Sequence, residues 1–272
     1  MLIYVVVLIV GILVGGIVNG LADDLPHYRL PGRPRYPDGS PRPLVAWLGL
    51  TAFIFGRRST PDGATLSWRY PLVELATAGL MLLTLLVKLN SPDSSPLQLV
   101  FWLAYMPILV LITVIDLEHR LILFAVIIPT AVLAILDAVL TPVQREPNLE
   151  RALLGGALGF GVFFLMYLGG IAYVYIAGQM RGQPISEIAF GYGDVMLAAV
   201  SGLILGLESA IFAMFITVFL GAGGALLYII IRGLAGKRYS AFTALPYGPY
   251  LVIGTLVMLL FSSQVRMVLV GY

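Results

Sequence analysis

Cysteine is absent from the 272 residues, which excludes disulfides, thiolate metal sites and cysteine nucleophiles and leaves the redox compartment unreadable. Histidine occurs twice, as His27 and His119, so a histidine metal cage or a Ser-His-Asp triad has almost no raw material. Charge is scarce as well. Asp, Glu, Lys and Arg together make up 11% of the chain, against about 25% in a soluble domain. The formal excess is +2, and no basic footprint for nucleic acid is visible. What remains for chemistry is carboxylates. What is abundant is apolar surface, at 60% of residues. Eight helical spans of roughly 20 residues consume about 160 positions, close to the apolar total. The composition therefore predicts an all-α, polytopic membrane helical bundle of about eight transmembrane helices.

Residues 1–22 are an uncharged run, too long for a signal-peptide core and lacking its basic start, and read as a retained first span. Residues 23–69 break the pattern with Pro26, Pro31, Pro34, Pro37, Pro41, Pro43 and seven arginines, around a short apolar stretch at 44–55. Further spans are expected at 70–89, 97–116, 121–140, 152–178, 188–207, 209–231 and 244–261. The organisation is thus a first helix (1–22), one cytoplasmic loop region (23–69) and a membrane bundle (70–272). Basic residues of short loops stay in the cytoplasm. With both termini outside, twelve of the sixteen Lys and Arg fall inside, and Lys88, Arg145, Arg151 and Arg266 remain outside. The stretch 188–207 is the least regular span, because Asp194 lies within it and Glu208 ends it. No internal repeat is evident.

An ionisable group within a span needs a partner, a watery cavity or a task. Glu74, Asp116, Asp137 and Asp194 are the acids so placed. Asp116 ends an apolar helix and Asp194 follows Gly191 and Gly193, and the topology sets both near the same membrane face. Two carboxylates that share a proton supply a base and an acid together, as in aspartic proteolysis, without metal or covalent intermediate. Gly191 and Gly193 carry no Cβ to obstruct an extended substrate, and Asp194 opens a helix whose dipole favours the ionised form. Asp194 is then the base and Asp116 the acid. Two other readings fit the same residues. Asp116 and Asp194 can be interfacial carboxylates beside Arg120 and Arg181, or the acids can carry protons or cations through a small transporter.

Several segments, in order, resemble the bacterial type IV prepilin peptidases, which are GxGD-type intramembrane aspartyl proteases. Gly191-Tyr192-Gly193-Asp194 resembles the GxGD signature, and Ile115-Asp116 through Pro129 the first aspartate segment. Tyr70-Pro71-Leu72-Val73-Glu74-Leu75 resembles the YPxVEL opening of the second span. Leu245-Pro246-Tyr247-Gly248-Pro249-Tyr250 is similar to PFGPF, and Asn19 stands where the first span ends in Asn. The resemblance implies a multi-pass protein of a prokaryotic inner membrane. Its partners are type IV prepilin or pseudopilin precursors, whose basic leader is removed, and membrane lipids. It also implies methylation of the new N-terminus by S-adenosylmethionine, and Asp116 and Asp194 as the catalytic pair.

The departures are specific. Where the family often carries two zinc-binding Cys-x-x-Cys pairs, this chain has Tyr36 and Gly39, then Arg58 and Pro61, so no zinc is expected. Leu123-Phe124 replaces a Pro-Asp pair, and Met196 stands where a lysine often follows GxGD. These losses suggest a third reading, a pseudo-enzyme that chaperones pilin assembly. Among other residues, Glu74 is a candidate for methyl transfer or substrate binding, or a helix-to-helix hydrogen bond. Asp23 and Asp24 are candidates for attracting a basic leader, Glu118 and His119 for tuning Asp116 or contacting the leader, and Asp137 for reaching water or Arg145. The loop arginines are suited to anionic lipid heads.

Overall fold

A computed structural model describes residues 1–89, 95–141, 147–181, 191–234 and 246–271. Arg145, Lys237, Arg238, Leu245 and the side chain of Arg181 lie outside the described residues. Among the described residues eight α-helices follow one another: α1 (Leu2–Asp24), α2 (Gly49–Ile54), α3 (Arg69–Lys88), α4 (Pro96–His119), α5 (Phe124–Leu140), α6 (Leu149–Arg181), α7 (Tyr192–Leu234) and α8 (Gly248–Val270). No β-strand occurs among the described residues, although isolated bridges join Arg35 to Pro41 and Ser59 to Thr65. The chain divides into two compact units, Met1–Val126 and Ile127–Tyr272.

In the first unit α1, α3 and α4 pack together, with small residues at the seam. α1 buries Gly11, Gly15, Val18, Asn19 and Ala22, while Leu13 and Ile17 are 52% and 61% exposed. A Cβ on Gly11 or Gly15 would lie 2.5 Å or 2.6 Å from the Cα of Ala78 or Glu74 in α3. Small residues inward and large ones outward is the packing expected in lipid, where close backbone approach holds helices together. Ser95 caps α4 by accepting the amide of Gln98, with Pro96 in the first helical turn. Arg120, at φ 55°, closes the same helix in the left-handed conformation.

The loop of residues 23–69 folds around two copies of one turn. Pro37-Asp38-Gly39 and Pro61-Asp62-Gly63 each place glycine at positive φ, 86° and 91°. Within each turn an amide returns to a carbonyl, Gly39 to Tyr36 at 2.8 Å and Gly63 to Thr60 at 3.1 Å. The turns are tied together, because the Tyr36 hydroxyl donates to the Arg57 carbonyl at 2.7 Å and that of Thr60 to Asp38 at 3.1 Å. Tyr36, Ala46, Ala52, Leu66 and Tyr70 form the small core beneath.

In the second unit α7 is broken at Gly206, whose φ of 74° and ψ of 173° suit glycine alone. The arms on either side fold back on each other. Ser201 accepts from Thr255 of α8 at 2.8 Å in the first arm, and Thr217 in the second donates to the Tyr250 carbonyl at 3.4 Å. α6 lies along the first arm, where a Cβ on Gly159 or Gly202 would collide with the backbone of Ala198 or Gly155.

Six helices of the described residues are long and apolar enough to cross a membrane, where about eight spans were expected. The difference has two sources. α7 holds 192–207 of the expected span 188–207, and all of 209–231, in its two arms, and α5, over the expected 121–140, is 17 residues long. Asp137 in α5 is buried at 1% exposure, not snorkelling to water, and accepts the Thr141 hydroxyl at 2.6 Å.

Candidate active site

Asp194 is the third residue of α7, and the helix is closed around it. Its carboxylate Oδ2 accepts the amide of Gly191 at 3.0 Å, while its own amide donates to the Gly191 carbonyl at 3.1 Å. An acid at that position reaching back to the capping residue satisfies one of the free amides of a helix start and favours negative charge there. The side chain is nearly buried, at 9% exposure. A Cβ on Gly191 would meet nothing closer than 3.6 Å.

Aromatic rings surround this turn. Tyr192 sets its ring edge-on to Tyr167 at 5.9 Å, and Phe163 packs against Tyr247 at 6.0 Å. Burial first, and the negative charge of Asp194 second, push the Tyr247 phenol above its ordinary range. Tyr247 is thus a neighbour of Asp194 that carries no role in the sequence reading. Its signal was present in Pro246-Tyr247-Gly248-Pro249, which places a hydroxyl where the family pattern has phenylalanine.

Asp116 occupies the last turn of α4 in the first unit, 5% exposed, and its carbonyl accepts the amide of Arg120 at 2.9 Å. Asp116 and Asp194 belong to different units. Beyond Asp116 the first unit gathers several predicted residues into one charged layer. Arg69 at the start of α3 donates to Asp23 at 2.5 Å and to Glu118 at 2.6 Å. Tyr70 donates to Asp23 at 3.1 Å, and Arg42 stands 3.9 Å from it. Asp24 accepts the amide of Gly32 at 3.0 Å, and His119 meets the ring of His27 edge-on at 5.5 Å.

Glu74 is wholly buried and accepts the amides of Gly49 at 2.5 Å and Leu50 at 2.8 Å. The Asn19 side-chain amide donates to it at 3.4 Å and to the Tyr70 carbonyl at 2.9 Å.

The profile described as the type IV leader peptidase family matches residues 103–226. A protein of Dichelobacter nodosus named prepilin leader peptidase/N-methyltransferase is 30% identical over 231 residues, 85% of this chain and 68% of its own length. The chain belongs to that family. Proteins of the same name from Stutzerimonas stutzeri and Aeromonas hydrophila are 27% and 26% identical, each over 82% of this chain and 67% of their own length. No solved structure matches. The transporter reading finds no support in these leader peptidase relatives.

Two groups tied to the family can be tested against the residues present. At the cysteine positions of the zinc ribbon the Tyr36 hydroxyl is bonded to a carbonyl, and the Arg58 Nε donates to the Leu66 carbonyl at 3.1 Å. Gly39 and Pro61 offer no side-chain donor, so this set does not fit zinc. Among the described residues no three His, Asp or Glu side chains are grouped so as to hold a metal ion. For a methyl donor the sequence points to Glu74. Both of its oxygens are engaged by amides of the chain, a setting that does not fit a ribose or an ammonium group.

Proposed function

We propose that this leader peptidase family member is an aspartic endopeptidase of the inner membrane. It cuts the basic leader from type IV prepilin or pseudopilin precursors at the cytoplasmic face, with Asp116 and Asp194 as the catalytic pair. The observation that carries the reading is the Gly191-to-Asp194 bond, which fixes a nearly buried carboxylate at a helix start, next to a glycine whose added Cβ would make only an ordinary 3.6 Å contact with that carboxylate. Support comes also from Asp116, buried in the last turn of α4.

On this reading the ionised Asp194 takes a proton from water, and the oxygen attacks the scissile carbonyl carbon. Asp116 gives its proton to the carbonyl oxygen, and a tetrahedral diol forms. Collapse of the diol breaks the C–N bond as the proton held by Asp194 passes to the leaving amine, and Asp116 recovers its own from the hydroxyl. A pilin precursor suits such a site, because an apolar helix just after the cut holds the scissile bond at membrane depth. N-methyltransferase is the second activity in the relatives' name, and the sequence resemblance implies S-adenosylmethionine as methyl donor to the new terminus.

The test incubates wild type, Asp116→Asn and Asp194→Asn with a precursor and methyl donor and weighs the product. Each substitution is expected to lower cutting by about a hundred- to ten-thousand-fold. A gain of one methyl group on the wild-type product reports the second activity. Because the chain has no cysteine, Asp116→Cys with Asp194→Cys adds an independent check, a disulfide or short bis-thiol cross-link between the two units. A folded wild type that leaves every host precursor whole, or pilus assembly rescued by the double Asp-to-Asn variant, overturns the proposal in favour of a chaperone.

A further inference from the structure

Glu74 raises a question that proteolysis does not answer: why a wholly buried carboxylate stands within a membrane helix. Its partners are the first two amides of α2. The opening amides of any helix lack intrahelical acceptors, and water ordinarily serves them. In hydrocarbon an acceptor must come from the protein.

The depth of α2 can be read from its neighbours. Arg69, Asp23 and Glu118 form a charged layer at the ends of α1, α3 and α4. Glu74 lies about 7 Å along α3 from Arg69, and Gly16 about 10 Å along α1 from Asp23, both on the apolar side of that layer. A Cβ on Gly16 would lie 2.5 Å from Leu48, and one on Gly49 2.6 Å from the Tyr70 Cβ and 2.7 Å from the Pro71 nitrogen. The start of α2 therefore packs on the first turn of α3, just to the apolar side of the charges, and its amides are met by a carboxylate rooted about one turn further in.

One side of the segment, Ala46 and Ala52, joins the small core of the loop, while the other turns large apolar side chains outward. Leu44, Ile54 and Phe55 are 75%, 73% and 64% exposed, and the nearby Trp68, packed on Phe53, is 62% exposed. Arg57 and Arg58 follow directly, both exposed, and the Arg58 guanidinium lies over the rings of Phe53 at 5.0 Å and Trp68 at 5.9 Å. Apolar and aromatic side chains bordered by arginine are the composition of a segment at the headgroup and acyl boundary.

We infer that residues 44–55 are seated in the lipid of the membrane face from which the 23–69 loop projects. Anionic headgroups lie at Arg57 and Arg58, and Glu74 is the buried acceptor that lets α2 begin there. The loop is then part lipid-embedded collar and part aqueous domain, the latter built on the two Pro-Asp-Gly turns.

The cysteine-free chain allows a direct test. Ile54→Cys, Phe55→Cys and Asp62→Cys are each labelled with a small fluorophore in the full-length protein. The proteins are then reconstituted in vesicles of phosphatidylethanolamine and phosphatidylglycerol. Labels at 54 and 55 are expected to be quenched by brominated lipid and to lose the iodide accessibility seen at 62. Adding Glu74→Ala to Ile54→Cys restores iodide access, whereas Glu74→Gln, which keeps an acceptor oxygen, does so less. Labels at 54 and 55 as open to iodide as at 62 overturn the inference, as does a shield that requires a second protein. This comparison is made without Glu74 variants, so poor folding of Glu74→Ala leaves the test intact.

Discussion

The carboxylate of Asp194 reaches back to accept the amide of Gly191 at 3.0 Å, so the acid and the glycine that precedes it by three positions form one unit. A glycine before a helix is often needed for backbone geometry, and Gly191 offers a way to separate that need from a need for space. An added Cβ on Gly191 meets Asp194 Oδ2 at an ordinary 3.6 Å. Gly191→Ala is therefore expected to fold, with a thermal midpoint in detergent close to wild type, and to keep the amide that holds Asp194. If a substrate strand runs past this glycine, cleavage still falls, mainly through KM. Unchanged cleavage would place the substrate elsewhere.

Asp23 and Asp24 are neighbours in sequence with different surroundings, and they should respond differently to charge reversal. Asp23 is held by Arg69, Tyr70 and Arg42, whereas Asp24 accepts one exposed amide. Asp24→Lys is expected to raise KM for a precursor with a basic leader at low salt. The effect should fade at high salt, as screening removes attraction between exposed charges. Asp23→Lys should instead lower the thermal midpoint, because it sets a cation against Arg69. Arg69→Lys should also lower it, since an ammonium does not match the guanidinium fork that joins Asp23 to Glu118. Equal kinetic effects of the two reversals, with no change in stability, would contradict this division.

The loop is expected to keep its structure when metal is removed. Tryptic cutting at Arg42, Arg57 and Arg58 should proceed at the same rate with and without a strong chelator, and Asp38→Asn should speed it. Asp38 also sets the direction of the pH response. The Ser40 hydroxyl, then the Ser40 amide, hold its carboxyl below the ordinary value of 3.8. A depressed carboxyl stabilises the fold at pH above its unfolded-state value, and that contribution is lost as pH falls through the folded-state value. The tie to Thr60 should thus be intact from neutral pH down to about 4 and weaken only below, as read from proteolysis with an acid-active protease. Loosening between pH 7 and 5 would contradict the assignment.

What the sequence disclosed, and what it hid, follows from the range of each interaction. The helices were legible because lipid requires long apolar runs, and Gly191 and Asp194 because four adjacent residues carry them. The break in α7 was legible as a boundary between 207 and 209 because Glu208 stands there, although the hinge is Gly206, one turn-forming glycine among many in that region. The loop's substitute for zinc was hidden in plain text. Pro-Asp-Gly occurs at 37–39 and again at 61–63, but Tyr36 with Arg57 and Asp38 with Thr60 meet only after the chain has turned back over about twenty residues. The helix-to-helix hydrogen bond expected of Glu74 is the one from Asn19, whereas its two backbone partners in α2 were hidden, since amides leave no mark in a sequence. Asn19 and the Tyr70 to Leu75 segment were conspicuous by resemblance, yet only the fold joins them to Gly49.

Glycine in the membrane helices of the second unit has two distinct settings, and alanine substitution should divide them sharply. A Cβ at Gly202 would run into the carbonyl of Gly155, and one at Gly155 into the backbone of Gly202 and Gly206. Backbone does not move aside as a side-chain tip does, so Gly202→Ala must push α6 from the first arm of α7, at a cost of about 1–3 kcal/mol. Gly223, in the second arm of α7, and Gly161, in α6, have nothing within 4 Å of an added Cβ. There alanine removes backbone freedom from the unfolded chain at no steric cost, and Gly223→Ala is expected to be neutral or stabilising by up to about 1 kcal/mol. Thermal unfolding in detergent checks the order Gly223→Ala, wild type, Gly202→Ala. Since the first arm of α7 begins with Asp194, separating it from α6 should also disturb the Tyr167–Tyr192 contact and lower cleavage, while Gly223→Ala leaves cleavage alone. Equal stability of the two variants would mean that α6 and α7 do not meet through these glycines.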